Sequence, residues 1–444
     1  MQHIVIIGNG IAGITTARHI RKRSDDKITI ISGETDHFYS RTALMYIYMG
    51  HMKYEHTKPY EDWFWTKNRL DLVKDWVTNI DFDRKELQLE KSSPIQYDKL
   101  VLATGSKSNK FGWPGQDLNG VQGLYNMQDL EQMEKNTKDI DHAVVVGGGL
   151  IGIEMAEMLH SRHIPVTYLV REEHFWNGVI PNQEAQLIDR HIKDNGIDLR
   201  LASELKEILD DGNGKVKGVV TNTDETINCQ FVGLTVGVSP NIDFLKDSKL
   251  ETDRGILVNE YLETNIPDVF AAGDCAQRRA PLWNRRPVEA VWYTGRMMGE
   301  SLAKTLTGER AAYNPGYWFN SAKFFDIEYQ TYGHVWAKLR EGEKEFYWEH
   351  DSGQKCMHFV FSSEDHKFLG VNTFGIRLRH TAFNQWLQDG ATIQHVLEHL
   401  KDANYDPEFY TAHEAEILSQ FNQENGTSLT PKKKSWKRIL AFAQ

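Results

Sequence analysis

Two glycine-spaced hexapeptides carry the clearest chemistry in the chain, Gly8-Asn9-Gly10-Ile11-Ala12-Gly13 and Gly147-Gly148-Gly149-Leu150-Ile151-Gly152. A pyrophosphate can rest on the N-terminus of a helix only where the backbone comes close to it. Side chains at the turn must therefore vanish, and free amides and the helix dipole then hold the charge. Gly8, Gly10 and Gly13 meet that demand, and Gly147, Gly149 and Gly152 meet it again, with Ala12 and Ile151 packing each helix on its sheet. One such hexapeptide is a weak sign; two in matching contexts point to two bound nucleotides. An acidic residue about 20 positions past the loop commonly takes the ribose hydroxyls. Glu34 stands at a suitable distance from the first loop.

The elements that must position these loops are legible on either side of them. Ile4-Val5-Ile6-Ile7 leads into the first loop and Ala143-Val144-Val145-Val146 into the second. Helix-like stretches follow, from Ala12 to Ile20 and through Glu154 to Leu159, and then the apolar runs Ile28–Ile31 and Val166–Val170. Strand, helix, strand is the parallel crossover unit. A further run, Leu100-Val101-Leu102-Ala103-Thr104-Gly105, precedes the second unit, and Phe231-Val232-Gly233-Leu234-Thr235-Val236-Gly237 follows it. The second unit thus reads as an insertion within the first domain.

The fold class expected is α/β, with two Rossmann-like dinucleotide-binding domains and a C-terminal α+β domain. Beyond about residue 313 the texture becomes aromatic and mixed in charge, without glycine-rich turns, and Tyr313-Asn314-Pro315-Gly316 carries turn chemistry. The division expected is 1–112 and 237–312 for the first nucleotide domain, 113–236 for the second, 313–430 for the C-terminal domain and 431–444 for a basic aromatic tail.

Composition narrows the classes. A net charge of −11 is a poor match to a phosphate backbone, so nucleic acid is not expected as a partner. Cys229, Cys275 and Cys356 are too far apart to form a CxxC pair or a zinc cluster, which suits a reducing compartment. The 18 histidines show no HExxH spacing, and no metal is expected. The start of the chain lacks an export signal, and no stretch approaches the roughly 20 apolar residues of a membrane span. The protein is expected to be cytoplasmic, or at most peripheral on a membrane.

Residues 1 to about 312 resemble the FAD-dependent pyridine nucleotide-disulfide oxidoreductase superfamily through four motifs in its order. Gly8 to Gly13 looks like its FAD pyrophosphate site, Leu102-Ala103-Thr104-Gly105 like its crossover, and Gly147 to Gly152 like its NAD(P)H site. Thr264 through Gly273-Asp274 looks like its second FAD motif, and the resemblance assigns Asp274 to the FAD ribityl chain. Gly237, at the return crossover, joins the expected cofactor-binding set. Tyr39-Ser40-Arg41 followed by Leu44 is similar to the FAD-contacting segment of rubredoxin, ferredoxin and nitrite reductase-type flavin reductases, which implies that Arg41 contacts the cofactor. The disulfide-reducing branches carry an active-site cysteine near here, and residues 41–50 contain none, so disulfide reduction is a poor reading.

Glu154 matches a glutamate that relatives place near the flavin and is the expected catalytic residue, but Tyr46 stands where its lysine partner would be sought. NADH-preferring relatives usually end the outer strand of the second unit with an acidic residue; Val170 and Arg171 stand here instead. An arginine makes forked hydrogen bonds to a phosphate and favours NADPH over NADH, while Glu172 and Glu173 would oppose that phosphate.

Trp318 through Ile327 looks like the start of the interface domain of nitrite reductase-type reductases, which commonly covers the flavin or mediates dimer contact. Trp336, Trp348 and Trp386 read as core, and Trp292-Tyr293 as candidates to border the flavin ring. The function expected is hydride transfer from a nicotinamide to FAD and onward delivery of electrons, with a small redox protein as acceptor. The alternatives are a redox sensor similar to apoptosis-inducing factor, and a dehydrogenase reducing quinone or oxygen. The tail from Lys432 to Phe442 combines cations with apolar residues, suited to an acidic partner or an anionic membrane.

Overall fold

Ile4-Val5-Ile6-Ile7 has no polar face because both of its faces are covered. In the computed structural model the strand His3–Ile7 is paired in parallel with Lys27–Ile31 on one edge and Lys99–Leu102 on the other, and all of its apolar residues are buried. Parallel strands covered on both faces read as continuous apolar runs. The order across the sheet is Val269–Ala271, Lys99–Leu102, His3–Ile7, Lys27–Ile31 and Leu70–Val73. The structure describes residues 1–282, 285–406, 409 and 411–432. These divide into two units, Met1–Leu169 with Ser203–Pro315, and Val170–Ala202 with Gly316–Gln444.

Within the first unit a second parallel arrangement repeats the first. Ala143–Val146 lies between Val166–Leu169 and Phe231–Leu234, with Val121–Gln122 beyond. The likeness reaches single side chains. His3 Nε2 lies 2.8 Å from Thr29 Oγ1, and His142 Nε2 lies 3.0 Å from Thr167 Oγ1, each linking the base of a central strand to its neighbour. The chain leaves the first sheet through Ser106–Ser108 and returns through Val238–Pro240, and these two segments pair antiparallel. The second sheet is therefore inserted in the first.

The helix Ile11–Arg21 is covered by the helix Trp292–Leu306 at very short range. A Cβ at Gly299 would lie 2.7 Å from the Ala12 carbonyl oxygen, so that contact closes only with glycine. This packing brings the start of the later helix to the first glycine loop.

The second unit is built on an antiparallel sheet in the order Phe319–Phe324, Ile327–Gly333, Phe368–Phe374, Cys356–Ser362, Glu343–Glu349. Helices His380–Gln388, Ile393–Glu398 and Glu414–Asn425 bury Phe383, Trp386, Val396 and Phe421 in a shared core with Trp348 and Phe359. Trp348 and Trp386 are thus core residues, as read from the sequence, whereas Trp336 is half-buried beneath the Arg340 guanidinium, 3.7 Å from its ring centre. The unit also includes Val170–Ala202, a stretch within the segment 113–236 expected for the second nucleotide domain. There the helix Asn182–Asp194 sets Glu184, fully buried, against His358. Among the described residues no helix is long and apolar enough to cross a membrane. The tail expected at 431–444 lies outside the described residues from Lys433 onward; Lys432 is ion-paired with Glu398 at 2.6 Å.

Candidate dinucleotide sites

Each glycine of the first loop answers a different steric demand. Gly8 has φ +110°, and a Cβ there would lie 2.1 Å from the Ala103 carbonyl oxygen. Gly13 faces the Gly8 carbonyl, 2.1 Å from where its own Cβ would stand. Gly10 caps the helix Ile11–Arg21 with extended backbone and meets no protein atom within 4 Å of a Cβ position. Protein packing thus requires two of the glycines, and the third leaves a space open at an uncapped helix start without acidic residues.

The second loop repeats this solution. Gly147 has φ +115° and closes on the Thr235 carbonyl, 2.5 Å from its Cβ position, while Gly152 closes on the Gly147 carbonyl at 2.3 Å. Gly149 caps Leu150–Ser161, again with open space around it. Ala103-Thr104-Gly105 and Thr235-Val236-Gly237 are therefore equivalent turns, the first closing one loop and the second the other, and both end in a glycine of positive φ.

The first loop opens into a cavity of about 620 Å³. Its walls include Gly8, Gly10, Ile11, Ala12, Glu34, Arg41, Ala103, Thr104, Gly105, Gly273 and Asp274 among the sequence-derived candidates. Leu150, Ile151 and Glu154, from the first turns of the second loop's helix, line the same cavity, as does Trp292. Gly13 lies behind the first loop, and Gly147, Gly149, Gly152 and Gly237 belong to the second loop and its return turn rather than to the cavity wall.

A chain of polar contacts crosses the cavity wall. Arg41 donates a forked pair of hydrogen bonds to Glu34, Nη1 to Oε1 at 2.9 Å and Nη2 to Oε2 at 2.7 Å. Glu34 Oε1 also accepts from the Tyr39 hydroxyl at 2.5 Å and from the Met127 amide at 3.1 Å. Burial would push this carboxyl up, but the Arg41 charge and these hydrogen bonds outweigh it and hold Glu34 below the usual range. The guanidinium continues to the Tyr125 carbonyl at 2.6 Å and lies 4.5 Å from the centre of the Tyr125 ring. The Tyr125 hydroxyl in turn donates to Asp274 Oδ2 at 3.1 Å. Burial pushes the Asp274 carboxyl up, against the hydrogen bonds from Tyr125 and Ser106 and the Arg41 charge.

These residues fit FAD. Open space over an uncapped helix start suits the pyrophosphate, Arg41 brings a fixed cation to the same wall, and Asp274 offers a buried carboxylate to hydroxyl groups.

Among the described residues Glu154 has no cation beside it. No hydrogen bond or ion pair to it exists among the described residues, and burial, with the nearby Glu157 charge, pushes its carboxyl up to about 7. Leu44 and Met45 line the cavity, and Tyr46 stacks on His51 at 6.1 Å. The place where a lysine partner was sought therefore supplies none. Arg171 stands in the second unit with its side chain 70% exposed and its Nη2 2.8 Å from Glu172.

Tyr125 and Trp76 are among the wall residues that no sequence motif marks. Nothing in a sequence marks a tyrosine at the mouth of a helix; the signal available is the capping box Asn126-Met127-Gln128-Asp129, which fixes the helix start. Trp76 follows a short strand and carries no motif, yet it lines the cavity beside Gly33.

The family model described as pyridine nucleotide-disulphide oxidoreductase matches residues 2–291. The NAD(P)H nitrite reductase of Bacillus subtilis is 28% identical over 66% of this chain, and the assimilatory nitrate reductase electron transfer subunit of the same organism is 26% identical over 92%. This chain spans only 38% and 51% of those two relatives. The rubredoxin-NAD(+) reductase of Acinetobacter baylyi is 30% identical over 70% of this chain and 79% of its own length. Among solved structures, a ferredoxin reductase from Rhodopseudomonas palustris shares the fold with a TM-score of 0.78, at 23% identity over 95% of this chain and the whole of that one. A putidaredoxin reductase, solved in covalent complex with putidaredoxin, matches with a TM-score of 0.77 at 22% identity over 88% of this chain and 93% of that one. The chain belongs to the pyridine nucleotide-disulphide oxidoreductase family, whose cofactors are FAD and a nicotinamide nucleotide.

Proposed function

We infer that this protein takes hydride from NAD(P)H onto FAD and hands the electrons to a small redox protein of the rubredoxin or ferredoxin kind. The observation that carries the reading is the shared cavity. Leu150, Ile151 and Glu154, on the helix that opens from the second glycine loop, form part of the wall of the cavity that opens from the first. A nucleotide on the second loop is thereby brought against whatever the first loop holds. When bound, FAD supplies the redox chemistry, accepting a hydride and releasing its electrons singly or in pairs.

The chain's own residues bind and orient. The amides at Gly10 and the Arg41 guanidinium balance the pyrophosphate charge, Asp274 accepts from the ribityl hydroxyls, and Glu34 shapes the adenosine end. Glu154 holds a proton at the cavity wall near neutral pH. Arg171 supports NADPH as the donor, since it follows Val170 at the end of the outer strand where an acid would select NADH. The phosphate must compete with Glu172 for it.

The acceptor follows from the relatives. The Acinetobacter protein is named for rubredoxin, and the solved putidaredoxin reductase was captured with putidaredoxin. A cytoplasmic setting accords with Cys229, Cys275 and Cys356, all buried free thiols.

The test is an anaerobic titration of the purified protein with NADPH and, separately, NADH, following flavin absorbance. Rapid bleaching by NADPH, with Arg171→Ala losing more activity with NADPH than with NADH, is the expected result. Absence of bleaching by either nucleotide in FAD-loaded protein refutes the hydride path.

A further inference from the structure

We propose that Trp76 is the stacking platform for the adenine ring of the dinucleotide in the first cavity. The proposal rests on the reading of that cavity as the FAD site. Strands Lys27–Ile31 and Leu70–Val73 run parallel and in register, Ile31 beside Val73, so the segments beyond them emerge side by side. Gly33 and Trp76 are thereby brought into contact. A Cβ at Gly33 would stand 2.1 Å from both Cδ2 and Cε2 of the indole, so the ring lies against the glycine backbone where no other residue would admit it.

The main chain that carries the indole is fixed, and Gly33 backs the ring. The Trp76 amide donates to Asp75 Oδ1 at 2.8 Å and its carbonyl accepts from the Glu90 amide at 2.9 Å. Asp75 is itself fixed, with Oδ2 accepting from the Ser92 amide at 2.8 Å. The residue is nevertheless 49% exposed, an unusual share for the largest apolar side chain, and it lines the cavity together with Gly33, Glu34 and Val77.

The place decides the ligand. In a dinucleotide fold the adenosine ribose lies beyond the end of the second strand, where Glu34 stands. The base attached to that ribose is the planar group in reach of an indole packed on the neighbouring Gly33. A flat heteroaromatic ring gains most from an aromatic face that is already immobilised, because little side-chain freedom remains to be lost on binding.

The experiment compares two flavins on the flavin-free protein. FMN lacks the adenosine half, so a residue that stacks on adenine affects FAD and leaves FMN alone. Binding is read by quenching of flavin fluorescence in wild type, Trp76→Ala and Trp76→Phe. Expected are a loss in FAD affinity of about tenfold or more for Trp76→Ala, the scale of one base stacked on an aromatic ring, unchanged FMN affinity, and substantial recovery in Trp76→Phe. Equal weakening of FAD and FMN, or FAD affinity equal to wild type in Trp76→Ala, overturns the role of the indole. Wild-type protein that binds FAD no better than FMN overturns the cavity assignment along with it.

Discussion

The Tyr125 hydroxyl donates to the Asp274 carboxylate at 3.1 Å and accepts from the Ser106 amide at 2.8 Å, which joins the crossover strand, the inserted segment and the second FAD motif at one oxygen atom. Asp274→Ala removes the buried carboxylate, and FAD retention through gel filtration is expected to fall sharply. Tyr125→Phe leaves the carboxylate in place but loses its donor, and a smaller loss, on the order of tenfold or less in FAD affinity, is expected. Equal retention in all three proteins would remove Asp274 from the site.

The loops separate steric from functional glycines. Gly10→Val and Gly149→Val add side chains that meet no protein atom within 4 Å of the Cβ position, so thermal unfolding of the flavin-free proteins should stay close to wild type. Gly10→Val is expected to purify without flavin. Gly149→Val is expected to keep FAD and lose reduction by either nicotinamide nucleotide. Gly8→Ala, which drives a methyl against the Ala103 carbonyl at positive φ, should instead lower stability outright.

Glu154 sets a pH dependence with a definite sign. Its carboxyl is pushed up to about 7 from an ordinary value of 4.5, mainly by burial. The folded protein therefore holds this proton more tightly than the unfolded chain does. The contribution to stability is greatest below about 4.5 and falls as pH rises towards 7. Glu154→Gln should flatten that part of the stability curve. If flavin reduction shows an inflection near 7 in wild type, the variant should lose it, and an inflection that persists would assign it to another group.

His358 in the second unit follows the same sign in a higher pH window. Burial alone would lower its pKa, but Glu184 at 3.1 Å and Glu345 at 3.0 Å raise it to about 9. The stabilisation is full below the ordinary histidine value of 6.5 and is lost as pH rises through 9. His358→Gln leaves Glu184 buried without its cation, with Asn372 at 2.9 Å as the donor that remains among the described residues, and should cost about 3–5 kcal/mol by denaturant unfolding. The double variant Glu184→Leu/His358→Leu is expected to recover most of that loss, because removing both charges also removes the cost of burying them.

What the sequence by itself determined was local in its physics. A glycine at a turn of positive φ, a helix start without side chains and a strand apolar along its whole length each follow from a few neighbouring residues. For that reason both loops, both crossover turns and the inserted order of the two sheets were readable. The equivalence of Ala103-Thr104-Gly105 with Thr235-Val236-Gly237 is local too, and both turns stood in the sequence as apolar runs ending in glycine.

Only the tertiary structure decided which side chains share a wall. Arg41 reaches Tyr125 across 84 positions, Tyr125 reaches Asp274 across 149, and Asn372 reaches Glu184 across 188. In the first unit parallel crossovers carry distant segments to the same ends of neighbouring strands, whereas Asn372 meets Glu184 where the helix Asn182–Asp194 lies against the antiparallel sheet. The partner at that end is set by sheet order, and no short-range pattern records it. Glu34 illustrates the difference: its spacing from the first loop marked it as a ribose ligand, but spacing could not reveal the forked pair with Arg41 that keeps it ionised while buried.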